Sequence, residues 1–288
     1  MSYTTVVSPE VVLEHLDDPS WLVLDCRHSL ADFTAGRASY EAGHIPGACF
    51  ADVENDLAGR KTGTNGRHPL PEPEEFAEFL RHLGAGDETQ IVAYDEGGDM
   101  YAARCWLLCR WIGHDEAAIL DGGMSAWRAA GYPIEKGHTE PGERRRAAGG
   151  ELRVRLHPEL IVDAQAVLKS LETASMEIVD ARGGERFRGE IEPIDRVPGH
   201  IPGARNRAFK ENFDEHARLK SPQRLREEFG AYGDPSRVVH QCGSGVSSAV
   251  NALAMEHAGL RGWRVYVGSW SEWSSDPARP VETGTQRG

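Results

Sequence analysis

The hexapeptide GHIPGA occurs twice, at residues 43–48 and 199–204, and each copy sits in the same run of landmarks. Before each comes an apolar stretch closing on Asp-x-Arg, WLVLDCR (21–27) and MEIVDAR (176–182). After each comes a helical pattern, EPEEFAEFLRHLG (72–84) and SPQRLREEFG (221–230). A strand–loop–helix pattern follows, IVAYDEGGDMYAA (91–103) and VVHQCGSGVSSAVNA (238–252). DGGMSAW (121–127) then matches VGSWSEW (267–273). Landmarks repeated in one order mark a tandem duplication, so the chain must fold as two similar units. The 288 residues are enough for two ordinary domains.

Within each copy, short strands rich in Val, Ile and Leu alternate with helical patterns. That alternation predicts an α/β fold of two tandem domains, each a mainly parallel sheet with helices on both faces. We expect a first domain over residues 1–136, a linker over 137–151 and a second domain over 152–288. The stretch GHTEPGERRRAAGG (137–150) is rich in Gly and charge without apolar periodicity, as a linker is.

Charge narrows the function. Asp and Glu number 45 against 32 Lys and Arg, a net charge of −13. A surface so acidic argues against general binding to nucleic acid or anionic membranes, and leaves room for a small basic pocket. No apolar run approaches a membrane span, and MSYTTVVSPE lacks the pattern of a signal peptide. The five cysteines are odd in number and unpatterned, which fits a reducing cytoplasm.

The repeat is broken at one telling place. Asp95 stands in the first copy where Cys242 stands in the second. Cys242 opens a Gly-x-Gly loop at a strand–helix junction. Gly243 and Gly245 would allow backbone angles closed to other residues, letting successive N–H groups turn inward as a nest. The following helix adds its positive end. Such a nest favours thiolate, and equally a persulfide, so the loop suits a cysteine that accepts and passes on a group. A phosphatase loop of the Cys-x5-Arg kind needs Arg at position 248, where this chain has Ser. Cys26, Cys49, Cys105 and Cys109 lie in or beside apolar segments and read as core. No Cys/His cluster has metal-ligand spacing, and no cofactor is expected.

With these motifs in hand, the chain resembles the rhodanese family, and within it the tandem-domain sulfurtransferases. The resemblance spans roughly residues 5–284. It implies an inert first domain, carrying Asp95 in place of the nucleophile, and a catalytic second domain. The loop CGSGVS is similar to the Cys-Gly-Ser-Gly-Val-Thr of the 3-mercaptopyruvate group, with Ser247 for Thr. It differs from the Cys-Arg-Lys-Gly-Val-Thr of the thiosulfate group.

The resemblance implies that Gly243, Gly245, Val246 and Ser247 cradle the sulfur. It also implies that Arg182 and Arg188 grip the substrate carboxylate, with Arg186 left to solvent. It suggests a relay of Ser244, His68 and an acid at Glu54. His44 and His200 recur in both copies, so a structural turn explains them better than catalysis. Trp270 and Trp273 are expected to pack beside the cysteine loop. The activity implied is transfer of sulfur from 3-mercaptopyruvate through a Cys242 persulfide to a thiol, cyanide or thioredoxin-like acceptor, by a monomer without metal or cofactor. The alternatives are a thiosulfate:cyanide sulfurtransferase and a non-catalytic sulfur carrier.

Overall fold

The computed structural model describes residues 2–139 and 150–285. Most of the expected linker, and the last residues of the tail, lie outside them. The chain forms two compact units.

The first unit is built on five strands: β1 (Val6–Val7), β2 (Trp21–Asp25), β3 (Cys49–Phe50), β4 (Gln90–Tyr94) and β5 (Ala117–Leu120). They pair in the order β1-β5-β4-β2-β3, all parallel. Every residue of β2, β4 and β5 is buried, as central strands covered on both faces require. The two edges are only two residues long, which limits edge-to-edge pairing. The helices are α1 (Pro9–Glu14), α2 (Ala35–Ala42), α3 (Pro73–His82), α4 (Tyr101–Trp111) and α5 (Gly123–Ala129). In α3 a proline opens the first turn, Glu74 and Glu75 follow it, and Arg81 and His82 close the last turn. That order suits the helix dipole. Its Phe76, Ala77 and Leu80 are the buried stripe.

The second unit repeats the plan. Strands β6 (Ile161–Val162), β7 (Glu177–Asp180), β8 (Arg205–Asn206), β9 (Val238–Gln241) and β10 (Arg264–Tyr266) pair in the order β6-β10-β9-β7-β8, again all parallel. Its helices are α6 (Ala164–Thr173), α7 (Gly184–Phe187), α8 (Pro222–Phe229), α9 (Ser248–His257) and α10 (Ser269–Trp273).

The repetition reaches single hydrogen bonds. Arg27 forks onto Asp25 and donates to the Gly43 carbonyl at 2.8 Å. Arg182 forks onto Asp180 and donates to the Gly199 carbonyl at 2.7 Å. His44 bridges to Glu135, and His200 to Glu282, through backbone pairs. Trp127 and Trp273, both fully buried, each donate their indole N–H to a proline carbonyl at 2.8 Å, on Pro133 and Pro280. The GHIPGA histidines are therefore parts of a turn that both units need. His44 and His200 stack on Tyr40 and Phe187 and bond to backbone carbonyls.

The unit boundaries depart from the expected ones. Residues 150–157 belong to the first unit, where Leu152 is buried and its carbonyl accepts from Arg81 at 2.7 and 3.0 Å. Arg155 and His157 continue this docking on Ile112 and Trp111. Two segments also change sides. Residues 60–69 fold with the second unit and residues 213–219 with the first. Sequence position alone could not show this, because long-range packing decides it.

Candidate active site

Strand β9 ends at Gln241 and delivers Cys242 to the loop before α9, at the carboxyl edge of the sheet where parallel α/β folds place their sites. The thiol is 1% exposed. The Gly245 N–H donates to its sulfur at 3.1 Å, and the Ser248 hydroxyl lies 3.6 Å away. Burial pushes the Cys242 pKa up. Hydrogen bonds from the Ser247 side chain, the Ser244 and Ser248 N–H groups and the Ser248 hydroxyl outweigh it, so the thiol sits below its ordinary value.

Gly245 has φ +78°, and a Cβ there would stand 2.3 Å from the Val267 carbonyl oxygen, so only glycine fits. Gly243 differs from expectation. Its φ is not positive, and it is small for another reason. A Cβ on it would meet Arg67 Nη2 at 2.9 Å and the Arg186 guanidinium at 3.5 Å. Val246 and Ser247 are buried, Ser247 as the N-cap of α9.

The segment opening α10 closes the loop from the other side. The Trp270 and Ser271 N–H groups donate to the carbonyls of Cys242 and Gly243, both at 2.9 Å. Ser269 accepts from the Cys242 N–H at 3.1 Å, and its hydroxyl reaches to 4.0 Å from the sulfur. Ser269 does so at φ +55°, a region costly for a residue with a side chain. The matching residue of the first unit is Gly123, at φ +58°. The second unit thus holds a strained serine where the first has glycine, and uses its hydroxyl on the cysteine. The sequence carries this signal only as the change from DGG to VGS.

Ser244 and His68 come together. His68 Nδ1 lies 2.8 Å from the Ser244 hydroxyl, and both are buried. Glu54 belongs to the first unit, where its carboxylate stands 3.7 Å from His28 Nε2.

The three arginines of this segment point to different partners. Arg182 has its donors on Asp180, Gly199 and Glu192, and its guanidinium lies 4.8 Å over the Trp270 ring. The first unit repeats this clamp without a cysteine, on Asp25 and Gly43. Arg188, partly exposed, pairs with the exposed Glu190 at 2.7 and 2.8 Å. Arg186, expected in solvent, is the one beside Gly243. The cause is helical. Phe187 is buried against His200, and neighbours in a helix point about 100° apart, so Arg186 and Arg188 diverge. Arg186 is held by Glu192 at 2.7 Å and Asp195 at 3.0 Å. Arg67 lies on the same Asp195.

In the first unit Asp95 takes the place of the cysteine. Its carboxylate accepts from the Gly97 N–H at 3.0 Å and the Ala102 N–H at 3.1 Å, filling the nest. Burial, and then the charge of Asp99, push its pKa up to about 7 against the pull of those hydrogen bonds.

The other four cysteines are buried and unpaired by disulfides, as their apolar settings predict. Among the described residues no group of His, Cys, Asp and Glu could hold a metal ion. No helix among them is long and apolar enough to cross a membrane.

Two repeated parallel sheets, one of them carrying a cysteine in an N–H-lined loop, define a tandem α/β protein of the cysteine-dependent transfer class. The Rhodanese-like domain model matches residues 8–130 and 163–276, and the chain belongs to that family. It is 41% identical to a Pseudomonas aeruginosa protein named "Probable 3-mercaptopyruvate sulfurtransferase", over 99% of this chain and all of that one. It is 32% identical to the Arabidopsis thaliana thiosulfate/3-mercaptopyruvate sulfurtransferase 2, over 96% of this chain and 86% of the relative. Among solved structures, SseA from Escherichia coli, a 3-mercaptopyruvate enzyme, superposes with a TM-score of 0.78 at 33% identity, covering 94% of this chain and 100% of that one. The chain is an enzyme of the sulfurtransferase kind, as these relatives are.

Proposed function

We propose that the protein moves sulfane sulfur from 3-mercaptopyruvate to a thiol-type acceptor through a persulfide on Cys242. The observation that carries this is the buried Cys242 sulfur, 3.1 Å from the Gly245 N–H and with its pKa held low. The thiolate attacks the sulfur of the donor. A new S–S bond forms, the C–S bond breaks, and the electron pair leaves as the enolate of pyruvate. The Ser244–His68 pair is positioned to supply the proton that turns the enolate into pyruvate. Arg186 binds the donor carboxylate, replacing Arg182 and Arg188 in that role. The relay needs no step from Glu54.

The persulfide keeps its outer charge among the loop N–H groups until an acceptor thiol, cyanide or a thioredoxin-like protein removes the sulfur. We place the protein in a reducing cytoplasm, where five unpaired cysteines persist, and as a monomer. Mass spectrometry after donor treatment tests the mechanism. The peptide holding Cys242 should gain one sulfur atom, and Cys242→Ser should abolish both the gain and pyruvate release. A modified peptide elsewhere, with Cys242 untouched, would refute it.

A further inference from the structure

The Asp-x-Arg clamp occurs in both units, and its two arginines differ in one donor. In the second unit Arg182 Nη1 reaches Glu192 at 3.4 Å. In the first unit Arg27 spends Nε and Nη2 on Asp25 and the Gly43 carbonyl, and Nη1 finds no hydrogen-bond partner among the described residues. The Glu96 carboxylate stands 3.8 Å from it, beyond hydrogen-bond reach. Arg27 is 4% exposed. A buried donor left unpartnered is rare and costly in a folded protein, so it calls for a group that the chain itself does not supply.

Arg27 lies on a cavity of about 220 Å³, walled also by His28, Ser29, Ser39, Glu96 and Asp99. These residues all belong to the first unit, whereas Cys242 belongs to the second. The cavity stands past the carboxyl ends of β2 and β4, where parallel sheets place their ligands. Gly36 meets the Arg27 carbonyl so closely that it leaves no room for a Cβ. The start of α2 is thereby held on Arg27, and Ser39, one turn along the same face, comes with it. Glu96 Oε1 accepts from Ser125 at 3.2 Å and from Arg128 at 2.6 Å, which leaves Oε2 towards Arg27. The charge of Asp99 reaches the buried Asp95, so the remaining wall is acidic.

The walls select the ligand. A bare anion would satisfy Arg27 and be repelled by Glu96 and Asp99. A bare cation would satisfy the acids and leave Arg27 Nη1 unpaired. A molecule with a carboxylate and an ammonium on one carbon meets both demands, across the short gap between Arg27 and Glu96. The cavity is smaller than the roughly 300–1,000 Å³ of sites for drug-sized ligands, so the rest of that molecule must be small. We propose that the first unit holds a binding site for a small α-amino acid, its carboxylate accepting from Arg27 Nη1 and its ammonium donating to Glu96 and Asp99. A 2-oxo acid such as 3-mercaptopyruvate or pyruvate lacks the ammonium, so this site rejects the compounds that the cysteine loop handles. No bond is made or broken in it.

The test is calorimetric titration of the full chain with L-alanine. Saturable binding is expected in the wild type, and with the same Kd in Cys242→Ser. Pyruvate and ethylamine each keep one of the two charged groups and should bind at least about 10-fold more weakly, the loss of one charge-assisted contact. Asp99→Asn and Glu96→Gln should each weaken L-alanine by about 10-fold for the same reason. These two acids carry the test because Arg27 also holds Asp25, and replacing it would disturb the fold. No saturable binding, pyruvate bound as tightly as L-alanine, or an unchanged Kd in both acid variants would overturn the site. Loss of L-alanine binding in Cys242→Ser would move the ligand to the cysteine loop and overturn it as well. None of these readouts involves sulfur on Cys242, so the sulfur-transfer reading stands or falls separately.

Discussion

At the scale of single residues, the difference between the two units is what fills the nest. Cys242 puts a sulfur there whose charge the loop N–H groups favour. Asp95 puts a carboxylate there and consumes the N–H groups of Gly97 and Ala102 internally. A carboxylate cannot take up sulfane sulfur, so the first nest is chemically silent. It also leaves a pH signature. The Asp95 pKa is raised to about 7 by burial and by Asp99, against an ordinary carboxyl near 4. The folded chain therefore holds the proton over a range where the unfolded chain has lost it. Stability contributed by the protonated form is present below about pH 4 and drains away as pH rises towards 7. Asp95→Asn removes this loss. Its stability relative to wild type should improve by on the order of 4 kcal/mol between pH 4 and 8, read from urea unfolding at each pH. A pH-independent difference would show that Asp95 does not titrate in this window.

At the scale of elements, the strand–loop–helix unit β9–Cys242–α9 works because its turn is pinned from both sides. Gly245 lies against the Val267 carbonyl with φ +78°, and Trp270 and Ser271 bond back to the loop carbonyls. Gly245→Ala has neither the backbone angle nor the space. It should cost at least about 3 kcal/mol of stability, combining left-handed strain with a backbone clash. The persulfide yield should fall with it, since the N–H now bonded to sulfur belongs to that residue. Normal stability and normal sulfur uptake in this variant would mean the loop adapts and the nest is not rigid. The short helix α7 shows how element geometry redirects chemistry. With Phe187 anchored in the core, Arg186 is sent to the loop and Arg188 to Glu190.

At the scale of the whole molecule, two copies of one sheet carry different groups at the matching loop, Asp95 in the first and Cys242 in the second. Each has its own buried core around a matching tryptophan, Trp127 in the first and Trp273 in the second. Removing either ring leaves a large cavity, and each alanine variant should lose about 3–5 kcal/mol in its own unit by calorimetry. Only Trp273→Ala should also impair persulfide formation at temperatures where both units are folded. Equal impairment by Trp127→Ala would contradict an inert first unit. The exchanged segments matter at this scale too. Residues 60–69 bring Arg67 and His68 to the second unit, so its site draws on both halves of the chain.

The sequence by itself determined the duplication, the parallel sheets and the exchange of Asp95 for Cys242 at the matching loop. These are local matters. Apolar runs bury themselves whatever lies beyond them, and a Gly-x-Gly turn after a strand makes its nest from adjacent N–H groups. The Ser244–His68 contact was reached from the family resemblance rather than from spacing, because 176 residues separate the pair. Only the tertiary structure decided which arginines stand beside Gly243 of the cysteine loop. Arg182 and Arg188 fit a motif, yet one is spent on Asp180 and the other on Glu190. Arg67 and Ser269 gain their positions from contacts made across the chain, with Asp195 and Ser271 in one case and Cys242 in the other. Such contacts depend on where packing carries distant segments, and no local pattern records that.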